Sequence, residues 1–246
     1  MSLEPGTLYL VATPIGNLED ITLRALRVLG EADALACEDT RTTRIIFERH
    51  GITAPAHRFS YHEHNEEHAA RRIAGLLEEG KSVALCTDGG CPGISDPGYR
   101  IAALCHEKGY RIEVVPGPSA VTTALLASGL STASFSFKGF PPRKSGPRRR
   151  FFEMERDLPH SLVVFESPYR VGACLADAHA ALGNRLAAVC LELTKKFESV
   201  RRGYLADLAA EFAGKQVKGE VTIVISGNNP KDRKSTRLNS SHITIS

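Results

Sequence analysis

The sequence has no tryptophan, only two methionines and no CxxC cysteine pair. No apolar run approaches the roughly eighteen residues that a membrane-spanning helix needs. The start Met1-Ser2-Leu3-Glu4-Pro5 also lacks the basic stretch that opens a secretory leader. A soluble, cytoplasmic protein is therefore expected. The six cysteines, Cys37, Cys86, Cys91, Cys105, Cys174 and Cys190, show no paired zinc-ligand spacing and read as reduced thiols in mostly apolar surroundings. Neither charge sign dominates: 31 basic residues face 28 acidic ones, so net charge alone announces no nucleic-acid partner and local clustering has to carry that argument.

What the chain does hold is the run Thr87-Asp88-Gly89-Gly90-Cys91-Pro92-Gly93-Ile94-Ser95-Asp96-Pro97-Gly98-Tyr99, with four glycines and two prolines in thirteen residues. It follows an apolar stretch, Ser82 to Cys86, that predicts a buried strand. It precedes an apolar-periodic segment, Tyr99 to Lys108, that predicts a helix capped by Asp96. Glycine permits sharp bends and leaves no Cβ between backbone and ligand. At the carboxyl end of a strand, such a loop is where open α/β sheets hold small molecules; without a ligand it is a long turn.

The first half alternates strands with helices. Thr7 to Ala12 predicts a buried strand, followed by the turn-rich Thr13-Pro14-Ile15-Gly16-Asn17-Leu18-Glu19-Asp20 with Asp20 as a helix cap, a helix from Thr22 to Leu29 and a strand from Ala34 to Cys37. That strand ends on Glu38-Asp39-Thr40-Arg41, two carboxylates, a hydroxyl and a guanidinium at a strand-to-helix junction. Arg111 to Val115 predicts another strand, and Pro116-Gly117-Pro118-Ser119-Ala120 the turn into a helix from Val121 to Leu126. Such alternation argues a mostly parallel, helix-covered sheet with its loops gathered at one edge. His64 and His68 fit an H-x-x-E-H zinc-protease pattern. Helical periodicity starts only near Asn65, however, leaving His64 outside the helix that would have to hold both ligands, so no metal site is expected.

The second half opens on an aromatic strand candidate, Ser134 to Phe140, followed by five cations within the ten residues from Pro141 to Arg150. Charge alone fits either a solvated loop before a helix or an extended arm that neutralises phosphates, anchored by Phe151 and Phe152. Ser161 to Phe165, Leu186 to Leu191 and Gly219 to Ile225 then predict strands; Val171 to Leu182 and Leu205 to Phe212 predict helices. This half should own a second sheet, giving an N-terminal α/β domain over 1–117 and a C-terminal one over 118–229. Residues 230–246 lose all patterning and are expected to be a non-native tail.

In order along the chain, Thr13 to Leu18, Glu38 to Arg41, the glycine-rich loop, Pro116 to Ala120, Phe165-Glu166-Ser167-Pro168, Glu192-Leu193-Thr194-Lys195-Lys196 and Lys218-Gly219-Glu220 resemble motifs of the tetrapyrrole methylase superfamily. Within it they are similar to the 16S rRNA (cytidine-2'-O)-methyltransferase branch. The resemblance implies two α/β domains of that type with S-adenosyl-L-methionine (AdoMet) in the interdomain cleft, and a homodimer. It implies methyl transfer to the ribose 2'-hydroxyl of a cytidine in 16S rRNA of the small ribosomal subunit. By position it gives the cofactor Pro14, Ile15, Gly16, Cys91, Pro92, Gly93, Ile94, Ser119 and Ala120, together with Phe165, Leu193 and Thr222. Where this family usually carries Ala and Thr, the chain has Gly89 and Cys91.

For the proton and the 2'-hydroxyl the candidates are Glu38, Asp39 and Arg41 with Glu192 and Lys195, each of which alone also reads as an ion pair or cap. Asp88 and Asp96 are expected to hold the loop's shape. RNA phosphates are expected to meet Arg143, Lys144, Arg148, Arg149, Arg150, Arg170, Arg201 and Arg202. Two rival readings stay open: a small-molecule methylase of the tetrapyrrole type, and a non-catalytic RNA-binding protein on a methylase scaffold.

Overall fold

The computed structural model describes residues 2–228; the tail expected over 230–246 lies outside the described residues. The chain divides into two compact units between Ala120 and Val121.

The first unit runs β1 (Thr7–Val11), α1 (Leu23–Glu31), β2 (Ala34–Cys37), α2 (Thr40–His50), β3 (His57–Ser60), α3 (Glu66–Glu78), β4 (Val83–Cys86), α4 (Tyr99–Lys108) and β5 (Arg111–Val115). The five strands lie in the order β3-β2-β4-β1-β5 and are all parallel. Strands β2 and β4 are buried at every residue, which is why they read as continuous apolar runs instead of alternating ones. From α1 and α2, Ala25, Val28, Leu29, Ile46 and Phe47 pack against Tyr9, Val11, Leu35 and Cys86 on one face. On the other face, Ala70, Ile73, Leu77, Ile101 and Cys105 of α3 and α4 meet Leu8, Ala36, Val83 and Leu85. Each fully buried Leu or Ile here contributes about 1.5–3 kcal/mol. The chain leaves β1 toward one face and leaves its neighbour β4 toward the other. The carboxyl ends of β1 and β4 therefore flank the switch point at which such sheets leave a crevice.

Two caps differ from expectation. Thr22, not Asp20, caps α1, accepting the Ala25 N–H at 3.0 Å, and Asp20 ends a short 3-10 turn. Helix α4 begins after Gly98, whose φ of 143° turns the chain and leaves no side-chain cap, so Asp96 does not serve as one.

The second unit contains α5 (Ala120–Ser128, from Val121 on), β6 (Phe135–Phe137), α6 (Ser145–Glu153), β7 (Ser161–Glu166), α7 (Val171–Leu182), β8 (Leu186–Leu191), β9 (Ser199–Tyr204), α8 (Leu205–Phe212) and β10 (Val221–Ile225). Its sheet has the order β6-β7-β10-β8-β9. Only β6 and β7 pair in parallel; β10 runs antiparallel to β7 and β8, and β8 to β9. Leu175, Ala178, Leu208 and Phe212 of α7 and α8 cover Leu162, Val164, Val189, Val221 and Ile223 on one face. The stretch that could have been an extended arm is largely helix α6. No helix among the described residues is long and apolar enough to cross a membrane.

Candidate active site

Three loops at the carboxyl ends of β1, β4 and β5 are fastened together. Thr13 and Gly90 exchange two backbone hydrogen bonds of 2.9 Å, joining the loop after β1 to the loop after β4. The Thr13 hydroxyl adds a third bond, donating to the Thr87 carbonyl at 2.9 Å. The Ala12 N–H donates to Val115 at 3.1 Å, and a Cβ on Gly117 would stand 3.0 Å from the Ala12 Cβ, which brings the loop after β5 against the first loop. A Cβ on Gly89 would lie 3.2 Å from the Pro14 carbonyl oxygen. The Cys91 thiol donates to the Pro118 carbonyl at 3.9 Å, so the thiol itself ties the central loop to the third turn. Pro14, Ile15 and Gly16, Cys91 to Ile94, and Ser119 with Ala120 therefore belong to one joined set of loops in the first unit.

The central loop closes on itself through Gly93 N–H to Pro97 (3.1 Å) and Ile94 N–H to Cys91 (3.2 Å). Gly90 and Gly93 have φ of 86° and 83°, the left-handed region that glycine adopts freely. Gly98 is the tightest point, since a Cβ there would stand 2.8 Å from the Gly93 nitrogen. Sequence reading missed Glu66 of α3, whose Oε1 accepts the Gly98 N–H at 3.2 Å and the Tyr61 hydroxyl at 3.1 Å and so tethers this loop. Nothing local could signal a contact spanning 32 residues. Also missed was the Thr87 hydroxyl, buried at the head of the loop without a hydrogen-bond partner. His64 precedes α3 while His68 lies within it, as the periodicity implied.

Beside these loops, the ends of β2 and β4 bring three carboxylates together. Asp88 Oδ1 accepts the Asp39 N–H at 3.1 Å, and the Asp88 N–H donates to Glu38 Oε2 at 3.3 Å. Arg41 grips Asp39 through Nε–Oδ1 and Nη2–Oδ2 contacts of 3.1 and 2.7 Å, and this grip lowers the Asp39 carboxyl to about 2. Burial, and then the neighbouring Glu38 charge, push the Asp88 carboxyl up. The two environments separate the proton affinities of adjacent acids, as acid–base sites require.

In the second unit, Glu192, Lys195 and Glu220 form a closed cluster. Glu192 Oε1 accepts Lys195 Nζ at 3.0 Å and the Glu220 N–H at 2.9 Å, and Lys195 Nζ also meets Glu220 Oε2 at 3.0 Å. Burial alone would lower the lysine, but the two carboxylates outweigh it and raise Lys195 above its ordinary value. The Glu220 N–H, with help from Lys195, holds Glu192 below its own. Lys195 is thus a fixed cation and not the neutral amine a base would need. Glu192 and Thr194 adopt φ of 51° and 65°, strained for non-glycine residues. Phe165 and Thr222 are register partners across β7 and β10, and Leu193 is buried just beyond β8.

The cation set divides. Arg148 and its partner Asp177 each expose only 5% of the side chain and meet at 2.7 Å. Asp177 also accepts Arg149 Nε and the Ser145 hydroxyl, each at 2.8 Å. Arg148 is therefore corrected from phosphate contact to buried staple between α6 and α7, because burial denies it to any polyanion. Arg170 is likewise engaged, its Nε bonding the buried Glu166 at 2.8 Å. Arg143, Lys144, Arg149, Arg150, Arg201 and Arg202 stay exposed.

Comparison with known proteins adds to this picture. Residues 7–209 match the family described as Tetrapyrrole (Corrin/Porphyrin) Methylases. The chain is 44% identical over 228 residues to "Ribosomal RNA small subunit methyltransferase I" of Halalkalibacterium halodurans, covering 93% of this chain and 78% of that one. The Thermotoga maritima protein of the same name is 40% identical over 222 residues, covering 90% and 99% respectively. Among solved structures, a diphthine synthase superposes with a TM-score of 0.71 at 18% identity over 93% of each chain. A cobalt precorrin-4 methyltransferase gives 0.66 at 18% identity over 90% and 95%. These structural likenesses speak for the fold.

Proposed function

This chain belongs to the tetrapyrrole (corrin/porphyrin) methylase family, and from that premise we propose that it is an AdoMet-dependent methyltransferase acting on the ribose 2'-hydroxyl of a cytidine in 16S rRNA. One observation carries the site: three glycine- and proline-rich loops fastened to one another at the switch point of a parallel sheet. Their residues fit the cofactor, because Gly98 and Gly117 each stand where a Cβ would crowd backbone or a neighbouring loop, and half of the Ile94 side chain is free for an apolar contact. Pro14, Ile15, Gly16, Cys91 to Ile94, Ser119 and Ala120 are the residues that would hold it. Phe165, Leu193 and Thr222 are retained as cofactor candidates of the second unit.

Bound AdoMet supplies an activated methyl group and its leaving group. The chain's work is alignment, worth up to about 7–11 kcal/mol, and removal of one proton, worth about 10²–10⁴-fold. Asp88, expected from the sequence only to shape the loop, joins Glu38 as the proposed acceptor for the 2'-hydroxyl proton, since the two meet at the strand ends and Asp88 is raised while Asp39 is committed to Arg41. Arg41, whose side chain stays exposed beyond its contact with Asp39, would meet a phosphate or the hydroxyl oxygen with its remaining donors. The exposed cations Arg143, Lys144, Arg149, Arg150, Arg201 and Arg202 neutralise phosphates of the folded RNA. A cytoplasmic homodimer acting on the small subunit completes the proposal.

The test is transfer of tritiated methyl from AdoMet to small ribosomal subunits that lack the modification, with nuclease mapping of the product. Label on a single ribose is expected. Label on a base, or none, overturns the reading, and calorimetry with AdoMet then separates a small-molecule methylase from a scaffold that no longer binds cofactor.

A further inference from the structure

A second concave site lies wholly within the second unit, with a cavity of about 430 Å³. Leu191, Phe212 and Val217 make an apolar floor, and Phe197, Arg201, Lys215 and Lys218 stand around it. The volume falls inside the range of about 300–1,000 Å³ typical of small-ligand pockets. Phe165 and Thr222 lie on the other face of the sheet, while Glu192, a sequence candidate for the proton, lines this pocket as well. Strand alternation puts Cys190 on the same face as its register partner Thr222, and the Cys190 thiol reaches Ala124 of α5. Leu191 points instead to the face covered by α7 and α8.

The chemistry at its rim is specific. Phe197 exposes 76% of its surface, and the Lys196 ammonium sits 5.7 Å from its centroid. Two carboxylates share the site, but Glu192 is committed to Lys195 and the Glu220 N–H, and Glu211 lies 3.8 Å from Arg201. An aromatic platform beside several cations, over an apolar floor, is the arrangement that holds unpaired nucleotides by stacking the base and neutralising the phosphates. We propose that this pocket takes a single-stranded nucleotide of the RNA substrate, its base on Phe197 and its flanking phosphates on Lys215, Lys218 and Arg201. This rests on the RNA-directed function above, and it gives that function a second anchor apart from the reacting ribose.

The experiment is a fluorescence-anisotropy titration of the full chain with a labelled single-stranded RNA decamer across a salt series, run beside methyl transfer to small subunits. Phe197→Ala should weaken decamer binding about 5- to 150-fold. Lys215→Gln with Lys218→Gln should reduce the slope of log K against log salt by about 0.7 for each lysine that meets a phosphate. All three side chains are at the surface, so the variants should fold; thermal unfolding verifies it. Unchanged binding by both variants, or a wild-type protein that methylates subunits yet ignores the decamer, overturns the pocket assignment alone. Variants that lose affinity for whole subunits but not for the decamer would assign the pocket to a folded surface of the subunit and overturn the single-stranded nucleotide. A wild-type protein that neither binds RNA nor methylates subunits overturns the proposed function itself.

Discussion

Replacing Arg148 with Met should destabilise the second unit without touching how the protein senses RNA charge. Arg148 and Asp177 are both almost wholly buried and meet at 2.7 Å. Removing one member of such a pair leaves the other charge uncompensated, at a cost of about 3–5 kcal/mol. Here Arg149 and Ser145 still bond Asp177, so the lower end of that range applies. For a unit of this size about 3 kcal/mol corresponds to a fall of roughly 13 °C in its unfolding midpoint, read by differential scanning calorimetry. Arg150→Ala, at an exposed position of the same helix, should do the reverse: a stability change within about 0.5 kcal/mol and a shallower salt dependence of RNA binding. The pH profile adds a second check. Burial would raise the Asp177 carboxyl, but the bonds from Arg149, Ser145 and Arg148 outweigh it and leave it lowered. A lowered acid contributes stability above its unfolded value near 4 and loses it as pH falls through the folded value. The gap between wild type and Arg148→Met should therefore close in strong acid. An Arg148→Met protein with unchanged midpoint and a reduced salt slope would refute the assignment and restore Arg148 to the RNA-binding face.

Gly98→Ala should lower AdoMet affinity measured by calorimetry, because φ of 143° costs a non-glycine residue about 1–3 kcal/mol and the new Cβ would stand 2.8 Å from the Gly93 nitrogen; unchanged affinity would detach the loop from the cofactor. Asp88→Asn should slow methyl transfer by about 10²–10⁴-fold if Asp88 takes the proton. It should also raise the unfolding midpoint at neutral pH, since a carboxyl raised by burial and Glu38 weakens the fold only while ionised; the gain should fade as pH drops through the folded value. Gly219→Ala would drive a Cβ into the Glu192 carboxylate, breaking the Glu192, Lys195 and Glu220 cluster. A loss of about 2 kcal/mol or more in thermal unfolding is expected, and wild-type stability would show that the cluster is dispensable.

The sequence carried the first sheet well because parallel strands buried on both faces leave unbroken apolar runs such as Val83–Cys86. It also marked the central loop, since bends at Gly90, Gly93 and Gly98 demand the residue that is there. Polar edge strands were silent: β3 buries only Phe59 and β9 has no fully buried residue, so neither shows periodicity. Helix α6 was obscured by its own charge, because its inward-facing positions are Arg148 and Phe152 and an arginine in a core looks like an arginine on a surface. Strand and helix alternation also does not reveal direction, and the second sheet is mostly antiparallel despite repeating it. The contacts of Glu66 with Gly98 and of Asp39 with Asp88 span 32 and 49 residues and exist only once the chain is folded.

The pairing of Thr13 with Gly90 is made by peptide groups, not by side chains. These two bonds therefore depend on no side chain, whereas the Cys91 thiol and the bare Gly89 add contacts of their own to Pro118 and Pro14. A catalyst built this way can exchange one acceptor of methyl groups for another by altering surface detail, without re-engineering the scaffold that aims the donor.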